Sequence, residues 1–205
     1  MSPAIATVEE VKTTFLTPAF FAAFNALSVP STAGLIISFS SFGSAITNGN
    51  DEILLASSAG KLIRFSEKKV RPMGRTARGV RGMRIKKDQQ IISLMVANNE
   101  KEILCVSENG FGKKTSVDDF PTHNRGGQGV ISIKTSERNG LMVASTLVDN
   151  NDGIMLISDK GTMIRTSAEQ IPTISRNTQG VKIITPKEGE KILECVRIDP
   201  EDEEE

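Results

Sequence analysis

The sequence has no tryptophan and no tyrosine, and it contains one histidine and two cysteines among 205 residues. Cys105 and Cys195 are far apart and form no C-x-x-C motif, so no zinc or redox motif is recognisable and a reducing compartment is expected. Aromatic residues make up only 4% of the chain. Stacking on single-stranded bases therefore has few side chains to use.

Catalytic residues are equally scarce. His123 is the only histidine and stands beside Arg125, so the serines and aspartates have no other partner for a catalytic triad. The pair Asp118 and Asp119 has no counterpart in the rest of the sequence, and the glycine-rich loops match neither common nucleotide-binding pattern. We expect no catalytic site, no metal site and no cofactor.

The formal net charge is zero, but the charges are segregated. Residues 51–198 hold 24 Lys and Arg against 17 Asp and Glu, and residues 199–205 hold six acids and no base. This asymmetry is typical of a polyanion binder that carries its own acidic competitor. A solubilising tail on an ordinary surface is the alternative interpretation.

The beginning of the chain differs from the remainder, because residues 13–50 carry no charge at all. The longest apolar run, Ala19–Leu27, is far shorter than the roughly 20 residues that span a bilayer. Glu9 and Glu10 replace the basic region of a signal peptide. We expect no membrane association and a leader at residues 1–46 that is irregular, disordered or folded into a short helix.

A six-residue pattern, R-x-x-[R/Q]-G-V, occurs three times. Its copies begin at Arg75, Arg125 and Arg176, which are 50 and 51 residues apart. Self-similarity at such a period is typical of blade or solenoid arrays, in which one unit cannot bury its apolar face alone. The pattern therefore predicts three repeats.

Each repeat contains four short apolar stretches separated by turn signals. The first two flank a turn that ends in Gly60, Gly110 or Gly161, where glycine supplies the positive φ of a hairpin turn. Four strands in about 50 residues predict a four-stranded antiparallel blade. The expected third strands are Val80–Ile85, Val130–Lys134 and Val181–Thr185, and the expected fourth strands are Ile91–Val96, Leu141–Val148 and Ile192–Ile198.

The sequence thus predicts an all-β fold, a partial propeller-like array of four-stranded antiparallel blades behind the leader. The expected domains are the leader at 1–46, three blades within 47–198 and the acidic tail at 199–205. The blades would span about residues 50–97, 98–148 and 149–198.

The segment between Glu67 and Asp88 contains nine Lys and Arg residues and no acid. Equivalent loops of a blade array lie along one rim, so the three repeated loops would form a positive track. Duplex DNA carries about one phosphate per 1.7 Å of axis, and a basic rim binds it without reading sequence. Glycines would let backbone N–H groups approach the phosphates. The alternative is that Gly and Arg form tight turns on a solvated edge.

The residues expected to contact DNA come from these loops and from bases near them. They are Lys68, Lys69, Arg71, Arg75, Arg78, Arg81, Arg84, Lys113, Lys114, Arg125, Gly126, Gly127, Gly129, Arg165 and Arg176.

Residues 50–198 resemble the last three blades of the C-terminal DNA-wrapping domain found in the A subunit of DNA gyrase, a type IIA topoisomerase. The resemblance implies a β-pinwheel, in which four-stranded blades exchange strands with their neighbours and a basic outer rim binds and bends duplex DNA. The family's Q-R-R-G-G-x-G box is absent. The segments that carry the resemblance are KLIRFSEKKVR at 61–71, GFGKKT at 110–115, GVISIK at 129–134, ERNGL at 137–141 and SRNTQGV at 175–181.

The resemblance implies an accessory module of gyrase in the cytoplasm, associated with the nucleoid. Its partners would be double-stranded DNA and the rest of the gyrase A and B subunits. The chain would not be an enzyme on its own, because it has no tyrosine to cleave DNA and no ATPase motif. Two alternatives stay open: a protein-interaction propeller fragment, and a non-functional remnant of a broken gene for the gyrase A subunit.

Overall fold

The computed structural model describes residues 5–7, 36–39, 43–73 and 79–198. Most of the leader, the tail at 199–205 and the candidate contacts Arg75 and Arg78 lie outside these residues, and what the sequence predicts for them stays a prediction. Within the described ranges the chain forms strands and three short 3-10 helices, with no α-helix. The predicted all-β fold is confirmed.

The strands follow one another in a regular order along the three repeats. They are β1 (Ile5–Thr7), β2 (Ile36–Phe39), β3 (Gly43–Ile46), β4 (Glu52–Ser57), β5 (Lys61–Ser66), β6 (Ile91–Val96), β7 (Glu102–Ser107), β8 (Phe111–Ser116), β9 (Val130–Ile131), β10 (Met142–Val148), β11 (Gly153–Ser158), β12 (Met163–Ser167), β13 (Val181–Lys182) and β14 (Ile192–Ile198).

Each blade with four strands takes one of them from the next repeat. The first blade has the strand order β6-β4-β5-β9, and the second has the order β10-β7-β8-β13. Strand β9 belongs to the second repeat and strand β13 to the third, and all pairs in these blades are antiparallel. The third blade has the order β12-β11-β14. This is the strand exchange that the resemblance implied.

The exchanged strands are shorter than the sequence predicted. After Ile131 the backbone turns around the hairpin of the first blade, where the N–H groups of Ser132 and Ile133 both donate to the carbonyl of Gly60 at 2.8 and 3.1 Å. The predicted strand at Val80–Ile85 was wrong, because this segment forms no strand. Within the described residues it has no preceding blade to pair with.

The first strands of the first two blades, β4 and β7, are buried on both faces, which explains their continuous apolar sequences, whereas one face of β11 in the third blade is half-buried. In β4, Ile53 and Leu55 pack into the cluster of the first blade, whereas Leu54 and Ala56 pack toward the second blade. Successive side chains of a strand point to opposite faces, so one strand joins two cores. The described blades are therefore stacked against each other through shared apolar layers rather than held only by their loops.

The fourth strands β6, β10 and β14 contact one another in sequence, and β3 contacts β6 on the other side. In its described part the leader is extended, with β1 parallel to β2 and β2 antiparallel to β3. Across the described ranges, the structure contains no helix long and apolar enough to cross a membrane.

Candidate nucleic-acid interface

The second strand of each blade runs into a 3-10 helix of three residues. The helices are Glu67–Lys69, Val117–Asp119 and Ala168–Gln170. A serine precedes each one and its hydroxyl accepts a hydrogen bond from the N–H two residues further on. The residue after each helix is apolar and buried, as Phe120 shows with 1% exposure. Serine cap and buried anchor together leave the last two side chains of each helix at the surface.

These surface positions differ in charge from blade to blade. The first helix exposes Lys68 and Lys69, whereas the second exposes Asp118 and Asp119 at the equivalent places. The third helix exposes Glu169. Among the three 3-10 helices, only the one in the first blade therefore carries positive charge at these surface positions.

Arg125 joins the first of these helices to the basic loop that follows it in the first repeat. Its Nε donates to the carbonyl of Lys69 at 2.7 Å, and its NH1 donates to the carbonyl of Arg81 at 3.1 Å. The backbone adds two hydrogen bonds, from Gly126 to Gly82 at 2.5 Å and from Arg84 to Gly127 at 2.7 Å. A loop of the second repeat thus fixes the spacing of two basic segments of the first.

Five of the predicted contacts are exposed basic side chains on these segments. They are Lys68, Lys69, Arg71, Arg81 and Arg84. We call this set the basic rim. Because Arg125 binds the backbone at both Lys69 and Arg81, the two halves of the basic rim lie on either side of one guanidinium.

Two exposed bases at equivalent positions of the second and third repeats were missed in the sequence. Counting from the glycine of the repeated pattern places Lys134 at the position of Arg84, and Lys182 at the position of Arg81, and both are exposed. Lys182 Nζ also lies 5.7 Å from the centre of the Phe111 ring, with the Arg138 guanidinium at 4.9 Å. Aligning the three repeats beyond the R-x-x-[R/Q]-G-V pattern would have identified both residues.

The glycines of the second loop serve the packing of the backbone. Gly129 has φ +69°, and a Cβ there would collide with the carbonyl group of Leu62 in the first blade. Gly180 has φ +76°, and its Cβ would come within 2.7 Å of the carbonyl oxygen of Gly112. The repeated glycine thus allows an exchanged strand to approach its neighbouring blade. Gly126 and Gly127 have more room.

Lys113 and Lys114 lie inside the second blade and do not reach the basic rim. Lys113 is fully buried, and its Nζ donates to the carbonyls of Ser175 and Arg176 at 2.6 Å each. Lys114 is 2% exposed and forms an ion pair with Glu102 at 2.9 Å. Both ammonium groups are satisfied by the protein, so they position the blade instead of meeting a ligand.

Burial has a further consequence for Lys113. It lowers the pKa of this side chain from its ordinary value of 10.5 to about 8, because the charged form loses its hydration. The two carbonyls that accept from Lys113 belong to the loop of the third repeat. This lysine therefore holds the loop of the third repeat against the second blade, as Arg125 holds the loop of the second repeat against the first blade.

The last two predicted contacts lie on the third repeat. Arg165 is exposed on β12, whereas its equivalents Arg64 and Lys114 are buried beside Glu52 and Glu102. The third blade has Gly153 in place of those glutamates. Arg176 is half-buried, and its backbone carbonyl accepts the hydrogen bond from Lys113.

The part of the chain that the structure describes contains no cluster of His, Cys, Asp or Glu side chains suited to a metal ion. His123 is exposed, and its backbone N–H donates to the carbonyl of Arg64 at 2.8 Å. Exposed cations on a fixed backbone can bind phosphates.

Comparison with known proteins gives consistent matches. The family model of the DNA gyrase C-terminal domain, a β-propeller, matches residues 51–98, 101–148 and 154–199. The DNA gyrase A subunit of Salmonella typhimurium is 48% identical over 164 residues, covering 80% of this chain and 19% of that protein. Its Pseudomonas aeruginosa counterpart is 50% identical over 154 residues, covering 75% and 17%. The chain thus spans about a fifth of these curated relatives.

Two solved structures share the fold. The gyrase A C-terminal domain superimposes with a TM-score of 0.69 at 23% identity, covering 76% of this chain and 53% of that one. The C-terminal domain of DNA topoisomerase IV gives a TM-score of 0.72 at 22% identity, with coverages of 77% and 50%. The described blades therefore correspond to about half of each solved domain.

Proposed function

The chain belongs to the DNA gyrase C-terminal domain family, and from this premise we propose that it binds duplex DNA through phosphate contacts on the basic rim. Binding would be independent of base sequence and would bend or wrap the duplex. In this role the chain is an accessory module of DNA gyrase, acting in the cytoplasm at the nucleoid. Its partners are double-stranded DNA and the other parts of the gyrase A and B subunits.

The observation that carries the proposal is the double hydrogen bond of Arg125 to Lys69 and Arg81. Cations on long, freely moving loops would have to be ordered by the ligand, at a cost in side-chain and backbone entropy. Here the backbone under the basic rim is fixed before DNA arrives. The exposed lysine and arginine side chains then need only adjust their ends to meet phosphates.

The distribution of charge supports contact with a polyanion at this place. All five members of the basic rim are exposed, and no acid occurs between Glu67 and Asp88. Glu67 itself is 3% exposed and accepts hydrogen bonds from Thr47 at 2.6 Å, Gly49 at 2.9 Å and Asp51 at 2.6 Å. The acid nearest to the two lysines is therefore turned away from the surface and does not neutralise them.

The set of proposed contacts is smaller than the sequence suggested. It consists of the basic rim, with Lys134 and Lys182 as an extension toward the next blades. Arg75, Arg78, Arg165 and Arg176 stay in the set as predictions from the sequence. Lys113 and Lys114 are left out because they are buried. Arg125, Gly126, Gly127 and Gly129 act by shaping the backbone, and the blades at about 50–97, 98–148 and 149–198 provide the scaffold.

The proposal can be tested by removing the charges of the basic rim. A variant with Lys68, Lys69, Arg71, Arg81 and Arg84 all replaced by alanine should bind a linear duplex more weakly than the unaltered chain, whatever the base sequence. Each lost phosphate contact should lower the slope of log affinity against log salt by about 0.9. The measurement is a salt series of duplex affinities for both proteins.

The matched control removes exposed bases from the hairpin side of the third blade. Lys160, Lys187 and Lys191 are exposed there and are not part of the basic rim. Replacing these three by alanine removes three positive charges, against five in the rim variant, and should leave most of the salt slope in place even when the loss is compared per removed charge. Equal losses of salt slope per removed charge in the two variants would show a diffuse charge effect and would refute the basic rim as the contact surface.

A further inference from the structure

Among the described residues, the third blade has no exchanged strand of the kind that completes the other two. In the first blade β5 is covered by β9, and in the second blade β8 is covered by β13. Strand β12 holds the equivalent position in the third blade, and it lies at the edge of its sheet in the part of the chain that the structure describes. The third blade therefore presents an open acceptor edge.

Individual residues show that this edge has the form of an acceptor. Leu62 is fully buried beneath β9, whereas its equivalent Met163 is 66% exposed. A Cβ at Gly60 or Gly110 would collide with the carbonyl of Ile133 or Ile184. At the equivalent Gly161 no described atom lies within 4 Å of that position. No described atom fills, in the third blade, the space that the incoming backbone fills in the other two.

The first repeat carries a donor of the same kind. Gly79 has φ +80°, close to the +69° of Gly129 and the +76° of Gly180, which precede the exchanged strands. The residues that follow, Val80 and Arg81, correspond to the pairs that form β9 and β13 but do not form a strand themselves. The described part of the chain thus holds one donor segment and one acceptor edge that are not joined to each other.

We propose that the donor segment at residues 79–84 of one copy pairs with β12 of a second copy, in the way that β9 pairs with β5. The register follows from the two internal examples, in which Val130 faces Leu62 and Val181 faces Gly112. Val80 of one copy therefore faces Met163 of the other. Arg81 faces Thr162, and the carbonyl of Met83 lies over Gly161.

A second copy is the partner that fits these surfaces, because the contact repeats one that the chain already makes twice. Such a head-to-tail contact is heterologous, and two copies can close it when the rotation allows a ring. Pairing also removes an exposed strand edge, which otherwise invites aggregation. The donor segment includes Arg81 and Arg84 of the basic rim, but the pairing uses its backbone, so the proposal does not require that the chain binds DNA.

Disulfide trapping tests the contact and its register. The N–H of Ser132 donates to Gly60, so the neighbouring pair of Ile131 and Lys61 is a non-hydrogen-bonded pair. Such pairs have Cα atoms about 4.5 Å apart, within the range that a disulfide bridges. The equivalent positions between copies are Arg81 and Thr162.

Two single-cysteine variants, Arg81→Cys and Thr162→Cys, are therefore mixed under mild oxidation, with Cys105 and Cys195 changed to serine in both. A covalent heterodimer is expected from the mixture, and neither variant alone should cross-link to a comparable extent. The control mixes Arg81→Cys with Lys187→Cys, since the register does not place these positions together. A mixture that cross-links no better than this control would overturn the proposal.

The mass in solution gives a second, independent reading. Thr162 pairs with Ser158 through a backbone hydrogen bond, so the N–H of the next residue, Met163, faces away from β11. Met163→Pro should therefore block strand addition while leaving the β11–β12 pairing in place, because proline is tolerated at an edge. Sedimentation should give a two-chain mass for the unaltered protein and a one-chain mass for the variant. A one-chain mass for the unaltered protein would refute the proposal, as would a two-chain mass for a folded Met163→Pro variant.

Discussion

The guanidinium of Arg125 donates from Nε to the backbone carbonyl of Lys69 at 2.7 Å, although 56 residues separate them. Arg125 comes from the second repeat and Lys69 from the first. The strand exchange between blades brings these two segments together, since β9 follows Arg125 directly and pairs with β5 just before Lys69. The fold of the blades therefore determines where the basic side chains stand.

Arg125→Ala should lower both stability and duplex affinity. The variant loses two charge-assisted hydrogen bonds, and such bonds contribute about 1.5 to 3 kcal/mol each when their partners are otherwise unsatisfied. Partial exposure allows water to replace them, so we expect a total loss of about 1 to 3 kcal/mol in the free energy of unfolding. Urea unfolding measures this directly.

Arg71→Ala is the matched comparison for this variant. Arg71 is exposed and belongs to the basic rim, so its removal should reduce duplex affinity with almost no change in unfolding. If the two variants lost equal stability, Arg125 would not be holding the rim together.

The glycines of the second loop form a graded series. Gly127→Ala should be close to neutral, because its Cβ would lie 3.5 Å from the Ile63 side chain, an ordinary contact. Gly126→Ala should cost about 1 to 2 kcal/mol, since Gly126 has φ +81° but its Cβ would have room. Gly129→Ala should cost more than either, because it adds a collision with the Leu62 carbonyl to the same backbone strain.

The series is measured by chemical unfolding of the three variants, followed by duplex binding at a temperature where all are folded. The predicted order of destabilisation is Gly129, Gly126, Gly127. A strong loss of duplex affinity in a stable Gly127→Ala variant would favour the alternative role for these glycines, namely close approach of backbone N–H groups to phosphate.

Lys113 should make stability depend on pH in the alkaline range. Its pKa is lowered to about 8 in the folded chain, so between about pH 8 and the ordinary value of 10.5 the unfolded chain holds more protons. The contribution of this group to the free energy of unfolding therefore rises with pH across that window. It is constant below the window, where both states carry the proton.

The measurement compares the unaltered chain with Lys113→Met at about pH 7 and about pH 10, because the difference between them cancels the titration of other lysines. The unaltered chain should gain stability relative to the variant at the higher pH. A difference that is unchanged or reversed would mean that the buried ammonium keeps an ordinary pKa.

Lys114 and Lys69 should separate stability from binding. Lys114→Met leaves Glu102 without its ion-pair partner inside the second blade, and breaking a largely buried pair costs about 3 to 5 kcal/mol at most. Lys69→Met removes an exposed charge from the basic rim. The Lys114→Met variant should lose stability with little change in the salt slope of duplex binding. The Lys69→Met variant should lower that slope with little change in stability. The reverse assignment would contradict the placement of both lysines.

The repeat pattern made the architecture predictable from the sequence. The spacing of the Arg-Gly-Val loops and the turn glycines indicated three repeats, and the fourth strands were predicted within a few residues of where they lie. These features are local, and a single sequence contains them.

The errors arose where a residue's partner lies in another repeat. Val130–Lys134 reads as one strand, but the turn around Gly60 ends it at Ile131. The charges at Lys113 and Lys114 suggested ligand contacts, and only the pairing of β8 on both sides shows that they are enclosed. Position 129 likewise requires glycine because of the nearby carbonyl of Leu62, which is distant in the sequence.

The most direct test of the central claim is the affinity of the full chain for a short linear duplex across a series of salt concentrations. Several phosphate contacts on the basic rim predict tight binding at low salt and a log–log slope of several units, about 0.9 for each contact. Single strands of the same length should bind less well, because few aromatic side chains are present to stack on bases. An absence of duplex binding at low salt, or an affinity that does not change with salt, would contradict the account.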